Sequence, residues 1–165
     1  MTNIPTIWIE KCRENAHLPQ YAHEGDAGMD LYCAEDVMIA PGDTVLVKTG
    51  IKMSIPFGYE VQIRPRSGVS LHTPLRIPNA PGTIDCGYLD EICVIMQNCS
   101  HMHTKNDAPL FLNSKGNISG TYLIRVGDRI AQAVVAPVIH PNLIEIEDIK
   151  DKGTNRNGGF GSTGI

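Results

Sequence analysis

No stretch of this sequence approaches the roughly 18 consecutive apolar residues that a membrane-spanning helix needs, so a membrane partner is not expected. Cations are not in excess either. Lys and Arg number 14 against 18 Asp and Glu, a formal net charge of −4. A general DNA- or RNA-binding surface is thereby excluded, because phosphate backbones demand surplus positive charge; any phosphate recognised here must be met by a few placed groups. The five cysteines (Cys12, Cys33, Cys86, Cys93 and Cys99) are odd in number and show no CxxC spacing. That pattern predicts reduced thiols in a cytoplasm rather than a disulfide frame or a zinc site. Met1 to Pro5 lack the basic-then-apolar order of a signal peptide. His101 and His103 stand two apart without a neighbouring carboxylate or thiolate set, so a metal site there is not expected. No internal repeat is present, and no long helical period survives.

What is abundant is punctuation. Sixteen glycines and eleven prolines cut the chain of 165 residues into short apolar pieces, within a length that suits one domain with a real core. Alternation predicts strands over Thr6–Glu10, Thr44–Lys48, Ile51–Ile55, Tyr59–Arg64 and Tyr122–Val126. Buried runs at Ile92–Met96 and Ile130–Ala136 and a piece at Leu143–Ile146 complete the set. Turn signals such as Ala40-Pro41-Gly42-Asp43 and Pro56-Phe57-Gly58 separate them. Many short strands at this spacing predict an all-β sandwich, jelly roll or barrel. One short helix is expected after Ser67-Gly68. Residues 99–120 are polar and hold Pro109, Gly116 and Gly120, which predicts a long excursion.

Five segments carry residue types suited to chemistry, each with a plainer alternative. Arg64-Pro65-Arg66-Ser67-Gly68 follows a strand. A helix starting near Ser67 would expose free amides, beside an Arg66 fork and a Ser67 hydroxyl, to phosphate oxygens; an ordinary helix cap uses the same residues. Asn79 to Tyr88 places glycines on both sides of a strand-like piece and suggests a tight hairpin with exposed backbone amides and carbonyls. A pyrimidine could pair with that backbone while a sugar rests on Tyr88, and Asp85 could serve as general base on a water. On residue types alone, a turn aspartate and a half-buried core tyrosine are the commoner reading. In Gly127 to Gln132, simple alternation sets Ile130, Gln132, Val134 and Ala136 on one face, leaving Gln132 in need of a partner: a water, a phosphate oxygen or core backbone. Asp30, between Met29 and Leu31, could hold a hydrated Mg²⁺ or sit in a turn. The last eight residues, Gly158 to Ile165, offer four glycines, the Phe160 ring and the Ser162 and Thr163 hydroxyls. Such a segment suits a lid over a nucleotide, or simply a flexible tail.

The order of these segments is more specific than any one of them. Ala27-Gly28-Met29-Asp30-Leu31, Pro65-Arg66-Ser67-Gly68, Gly82-Thr83-Ile84-Asp85 with Tyr88, Gly127-Asp128-Arg129-Ile130-Ala131-Gln132 and Gly159-Phe160-Gly161-Ser162-Thr163-Gly164 follow one another. The series resembles the five-motif signature of the homotrimeric dUTP pyrophosphatases (dUTPases), across nearly the whole chain except residues 99–120.

The resemblance implies a dUTPase-like β-clip, or distorted jelly-roll barrel, with one short helix. It divides the chain into a β domain over 1–152, carrying the insertion at about 99–120, and a glycine-rich C-terminal arm over 153–165 that closes over the site. The implied activity is Mg²⁺-dependent hydrolysis of dUTP to dUMP and pyrophosphate, at three sites shared between subunits of a homotrimer. Asp85 matches the general base that activates the water attacking the α-phosphorus. Gln132 matches the glutamine that helps hold that water or the phosphates. Tyr88 matches the ring that leaves no room for a 2′-hydroxyl. The backbone of Gly82, Thr83, Ile84 and Asp85, with Asn79 acting through a water, would read uracil, and the hairpin would exclude the thymine methyl. Arg66, Ser67 and Gly68 would hold phosphates, and Asp30 would reach Mg²⁺ through its waters. From a neighbouring subunit, Phe160 and Gly161 would cover the base, with Arg156, Ser162 and Thr163 on the outer phosphates. Three positions depart from the family pattern: Gly87 stands where a second acid is usual, Asp90 where glycine is usual, and Arg156 lies four rather than five residues before the Phe. Two other readings share parts of this picture: a dCTP deaminase on the same fold, and a nucleotide-dependent regulatory module that binds a protein partner through residues 99–120.

Overall fold

The computed structural model describes residues 4–100 and 108–155. Its strands are short, as the glycine and proline punctuation dictates. In chain order they are β1 (Trp8–Lys11), β2 (Met29–Tyr32), β3 (Val37–Ile39), β4 (Thr44–Lys48), β5 (Ile51–Ser54) and β6 (Tyr59–Pro65). The only α-helix among the described residues, α1 (Ser67–His72), follows. Then come β7 (Leu75–Arg76), β8 (Gly82–Ile84), β9 (Cys93–Asn98), β10 (Leu110–Phe111), β11 (Tyr122–Ile124) and β12 (Arg129–Pro137), with a single 3-10 turn at Lys150–Lys152. These form four small sheets, ordered β1-β5, β10-β11-β3, β2-β12-β6-β8 and β4-β9-β7. The chain is thus all-β, as expected.

The sheets share one aliphatic core. Leu31 from β2, Val61 and Ile63 from β6, Val94 and Met96 from β9 and Ala131 and Ala133 from β12 are all buried. Alternation explains the pattern: in β9 every second residue, Val94, Met96 and Asn98, points inward. Asn98 is the one polar residue of that series, and its amide is fully partnered. Its Nδ2 donates to the Ile39 carbonyl at 2.9 Å and the Gly120 carbonyl at 2.8 Å, and its Oδ1 accepts from the Ser100 N–H at 3.1 Å. A buried amide with every arm engaged locks its surroundings into one arrangement.

Three expectations need correcting. The stretch Leu143–Ile146 forms no strand. It has no sheet neighbour among the described residues, and Leu143 and Ile144 stand 91% and 80% exposed. The hairpin expected around residues 82–88 is absent as well, because β8 and β9 belong to different sheets. Finally, β12 does not alternate simply. A register shift between Arg129 and Ala131 inserts Ile130 as an extra residue, so Arg129 faces Tyr32 while Ala131 faces Leu31. Ile130, Ala131 and Ala133 are buried in the core, whereas Gln132 is only half-buried. Strands β2, β3, β7 and β10, of two to four residues, are too short for an alternation pattern to reveal.

Candidate active site

The bulge in β12 assembles one half of the site. In a regular strand Arg129 and Gln132, three positions apart, would face opposite ways. The extra residue brings both to one face, opposite Tyr32 and Asp30, which are themselves two apart on β2. Gln132 also lies opposite Arg64 on β6. The strands approach closely where Gly28 precedes β2: a Cβ on Gly28 would come within 3.2 Å of the Gln132 Cβ. Glycine there leaves the room in which the Gln132 side chain sits.

Asp30 is 4% exposed and organises this half. One carboxylate oxygen accepts from Arg66 Nε at 2.9 Å, the other from Arg129 at 3.1 Å. Ionised hydrogen bonds of this kind orient guanidinium groups firmly. Asp30 therefore anchors two arginines, in addition to the water-mediated metal contact expected for it. No group of three or more His, Cys, Asp or Glu able to hold a metal ion occurs among the described residues. Each Asp30 oxygen accepts one bond and keeps a lone pair for a metal-bound water, which fits a hydrated ion rather than one held directly by protein ligands. Arg66 also precedes α1, whose first residues are the expected Ser67 and Gly68. A helix of six residues adds little macrodipole, so the positive charge at this half comes from side chains rather than from helix amides. Arg129 went unselected as a site residue because its role depends on the bulge.

The second half is a cleft between two sheets. Strand β8 pairs with β6 on one side only, with Val61 opposite Ile84, Gln62 opposite Thr83 and Ile63 opposite Gly82. It is the edge of its sheet, and an edge strand leaves backbone N–H and C=O groups available to a ligand. The cleft beside it has a volume of about 310 Å³, with Asn79, Gly82, Thr83, Ile84, Asp85 and Tyr88 in its wall. All the residues expected to read base and sugar are thus brought together. The amide nitrogen of Asn79 packs against Gly82, after a cis Ala80–Pro81 peptide. Asp85 is exposed at the end of β8.

Tyr88 is held from behind. Its N–H donates to the Asp85 carbonyl at 3.1 Å, and its hydroxyl to the Glu91 carbonyl at 3.0 Å. The Glu91 carboxylate in turn accepts two bonds from Arg13, at 2.6 and 2.9 Å, and one from the Gly50 N–H at 2.9 Å. The Arg13 hydrogen bonds hold the Glu91 carboxyl below its ordinary range. Neither Arg13 nor Glu91 lies in a motif legible from the sequence; only their partnership across the fold marks them.

The two halves do not merge within one chain. The cavity next to Arg66, Gly68 and Arg129 and the cleft beside β8 have no wall residue in common. Arg156, Phe160, Gly161, Ser162 and Thr163 lie outside the described residues, as do His101 and His103.

The site thus consists of an edge-strand cleft with a carboxylate at its rim and a separate face of oriented arginines. The comparisons are more specific. Residues 14–106 match the dUTPase family model. Deoxyuridine 5′-triphosphate nucleotidohydrolase of Ehrlichia canis is 46% identical over 171 aligned positions, covering 100% of both chains. A mutant dUTPase of Staphylococcus bacteriophage 80alpha, solved with dUpNHpp, superposes with a TM-score of 0.85 at 31% identity, covering 97% of this chain and 99% of that one. A mutant dUTPase of phage phi11 of S. aureus, described with a structural Mg(II) ion, gives 0.80 at 33% identity over 88% of this chain and 99% of that one. The chain belongs to the dUTPase family.

Proposed function

We propose that this chain hydrolyses dUTP to dUMP and pyrophosphate, with uracil and deoxyribose in the β8 cleft and the phosphates on the arginine face. The observation that carries the reading is the free edge of β8, flanked by Asn79, Asp85 and Tyr88. Uracil offers a donor–acceptor edge that a strand edge can match, and Asn79 closes the pattern. Asp85 takes a proton from a water as that water attacks the α-phosphorus; the bond from the α-phosphorus to the bridging oxygen breaks and pyrophosphate leaves. Gln132 holds the water or a phosphate oxygen. Arg66, Ser67 and Gly68 hold phosphates, and Asp30 keeps Arg66 and Arg129 aimed at them. A hydrated Mg²⁺ would neutralise charge on the phosphates, with Asp30 holding it through its waters.

The separation of the halves supports a shared site in a homotrimer, with the β8 cleft of one copy facing the arginine face of another. The apolar side chains of Ile139, Leu143, Ile144 and Ile149, all strongly exposed in the single chain, supply surface for that association. The arm beyond them, with Arg156, Phe160, Gly161, Ser162 and Thr163, closes over a neighbour's nucleotide.

The experiment is pyrophosphate release from dUTP, dCTP, dTTP and UTP, with and without Mg²⁺. Release confined to dUTP is expected; ammonia from dCTP would mark a deaminase instead. The ring of Tyr88 supplies a sharper test. Tyr88→Ala should raise kcat/KM for UTP relative to dUTP by on the order of tenfold or more, since a small steric group in a shaped pocket is worth about that much discrimination. Unchanged sugar selectivity would remove Tyr88 from the ribose-excluding role.

A further inference from the structure

The excursion between β9 and β11 is tied to the body at several points. At its stem, Asn98 and the Ser100 hydroxyl hold Gly120, the latter accepting the Gly120 N–H at 3.2 Å. Its return limb, β10, pairs in parallel with β11, and the Leu110 N–H meets the Thr121 carbonyl at 2.8 Å. Further along, the Asn117 N–H donates to the carbonyl of His72, the last residue of α1, at 2.9 Å. Phe111 lies under the Arg125 guanidinium, whose central carbon is 4.6 Å from the ring centroid. So fastened, the excursion places Asn113 and Lys115 in the wall of a cavity of about 300 Å³ that Arg66, Gly68, Arg125 and Arg129 also line.

The charge of this cavity is one-sided. Among the described residues, Arg66, Lys115, Arg125 and Arg129 line it with Asp128, Asp30 pairs with Arg66 and Arg129, and one Asp128 oxygen accepts the backbone N–H of Arg125. Asp30 offsets the charge of Arg66 and Arg129, whereas Lys115 and Arg125 are exposed and make no ion pair among the described residues, so an anion gains most on their side of the cavity. Arg66 and Arg129 are aligned by Asp30. Arg125 is aligned by Phe111, an attraction that grows as water is excluded. Lys115 is exposed at the lip, and its long stem gives it reach.

We propose that the excursion supplies Lys115, together with the Phe111-aligned Arg125, as a second cationic contact for the outer phosphates of the nucleotide and for the departing pyrophosphate. This rests on the reading of the chain as a dUTP pyrophosphatase. It gives residues 108–120 a part in substrate binding, whereas a purely partner-binding excursion would leave the nucleotide untouched.

The test is calorimetric titration of the full chain with three probes: pyrophosphate, dUMP and a non-hydrolysable imido analogue of dUTP. Lys115→Met should weaken pyrophosphate and the analogue by about fivefold to tenfold, the range of one partly exposed charge contact, and leave dUMP unchanged. Lys115→Arg should restore most of the loss. Raising the salt concentration should weaken pyrophosphate binding less steeply in Lys115→Met than in the wild type. Equal affinities in Lys115→Met and wild type overturn the proposal while the enzyme reading stands, as does a loss that extends equally to dUMP. Failure of the wild-type chain to release pyrophosphate from dUTP overturns the enzyme reading itself.

Discussion

Asp85→Asn is expected to lower dUTP turnover by about 10²–10⁴-fold, the usual contribution of a positioned general base, while the nucleotide still binds. The substitution suits the question because it changes charge and basicity but hardly changes shape. Asp85 stands exposed at the rim of the cleft. The contact it makes to Tyr88 runs through its backbone carbonyl, which asparagine retains. Folding should therefore be undisturbed, and the melting temperature serves as the control. Single-turnover hydrolysis and binding of a non-hydrolysable analogue separate chemistry from affinity. Turnover near that of the wild type would remove Asp85 from the proton-transfer role and move the search to another carboxylate.

The largest effect on stability is expected at Gly50, outside every motif. Gly50 has φ of +70°, a region that costs an ordinary L-residue roughly 1–2 kcal/mol. A Cβ there would meet the Ala16 Cβ at 2.7 Å, the Arg13 Cβ at 3.0 Å and the Ala34 Cβ at 3.1 Å. Crowding of this kind costs roughly a further 1–3 kcal/mol. Gly50→Ala should thus destabilise the chain by about 2–5 kcal/mol, lowering the melting temperature by about 4–20 °C at fixed protein concentration. The consequence reaches the site, because the Gly50 N–H and Arg13 both hold the Glu91 carboxylate behind Tyr88. Sugar discrimination should weaken even below the new melting point. A change in stability under about half a kcal/mol would show that the backbone can relax around the added methyl, contrary to the tight packing described.

Comparison of sequence and structure shows where local reasoning reaches and where it stops. Strands such as Thr44–Lys48 were legible because alternation and flanking turns coincide. Two-residue strands such as Leu75–Arg76 and Leu110–Phe111 were not, since sheet pairing rather than local preference creates them. Leu143–Ile146 has the composition of a strand but no neighbour in its own chain to pair with. The base-reading cleft was half legible. Asn79 to Tyr88 stand together as expected, yet their exposed backbone comes from the edge position of β8 and not from a hairpin. Gln132 was placed by simple alternation on an apolar face; the bulge at Ile130 sets it instead beside Asp30 and on the same side as Arg129. Asp30 also receives arginines from β12 and from the turn before α1, an encounter set entirely by tertiary structure. The excursion looked like a bare insertion because Phe111, Asn113 and Lys115 acquire meaning only through Arg125, His72 and the cavity between them.

The edge position of β8 carries a liability as well as a binding function. Unpaired backbone that can read a nucleobase can equally template a foreign strand, the usual first step of sheet-to-sheet aggregation. Two features limit that danger: the strand has only three residues, and Asp85 sets a charge at its end. Lengthening β8 with apolar, β-branched residues would turn a selective recognition surface into a seam for uncontrolled assembly, so solubility itself sets a limit on how long this strand can grow.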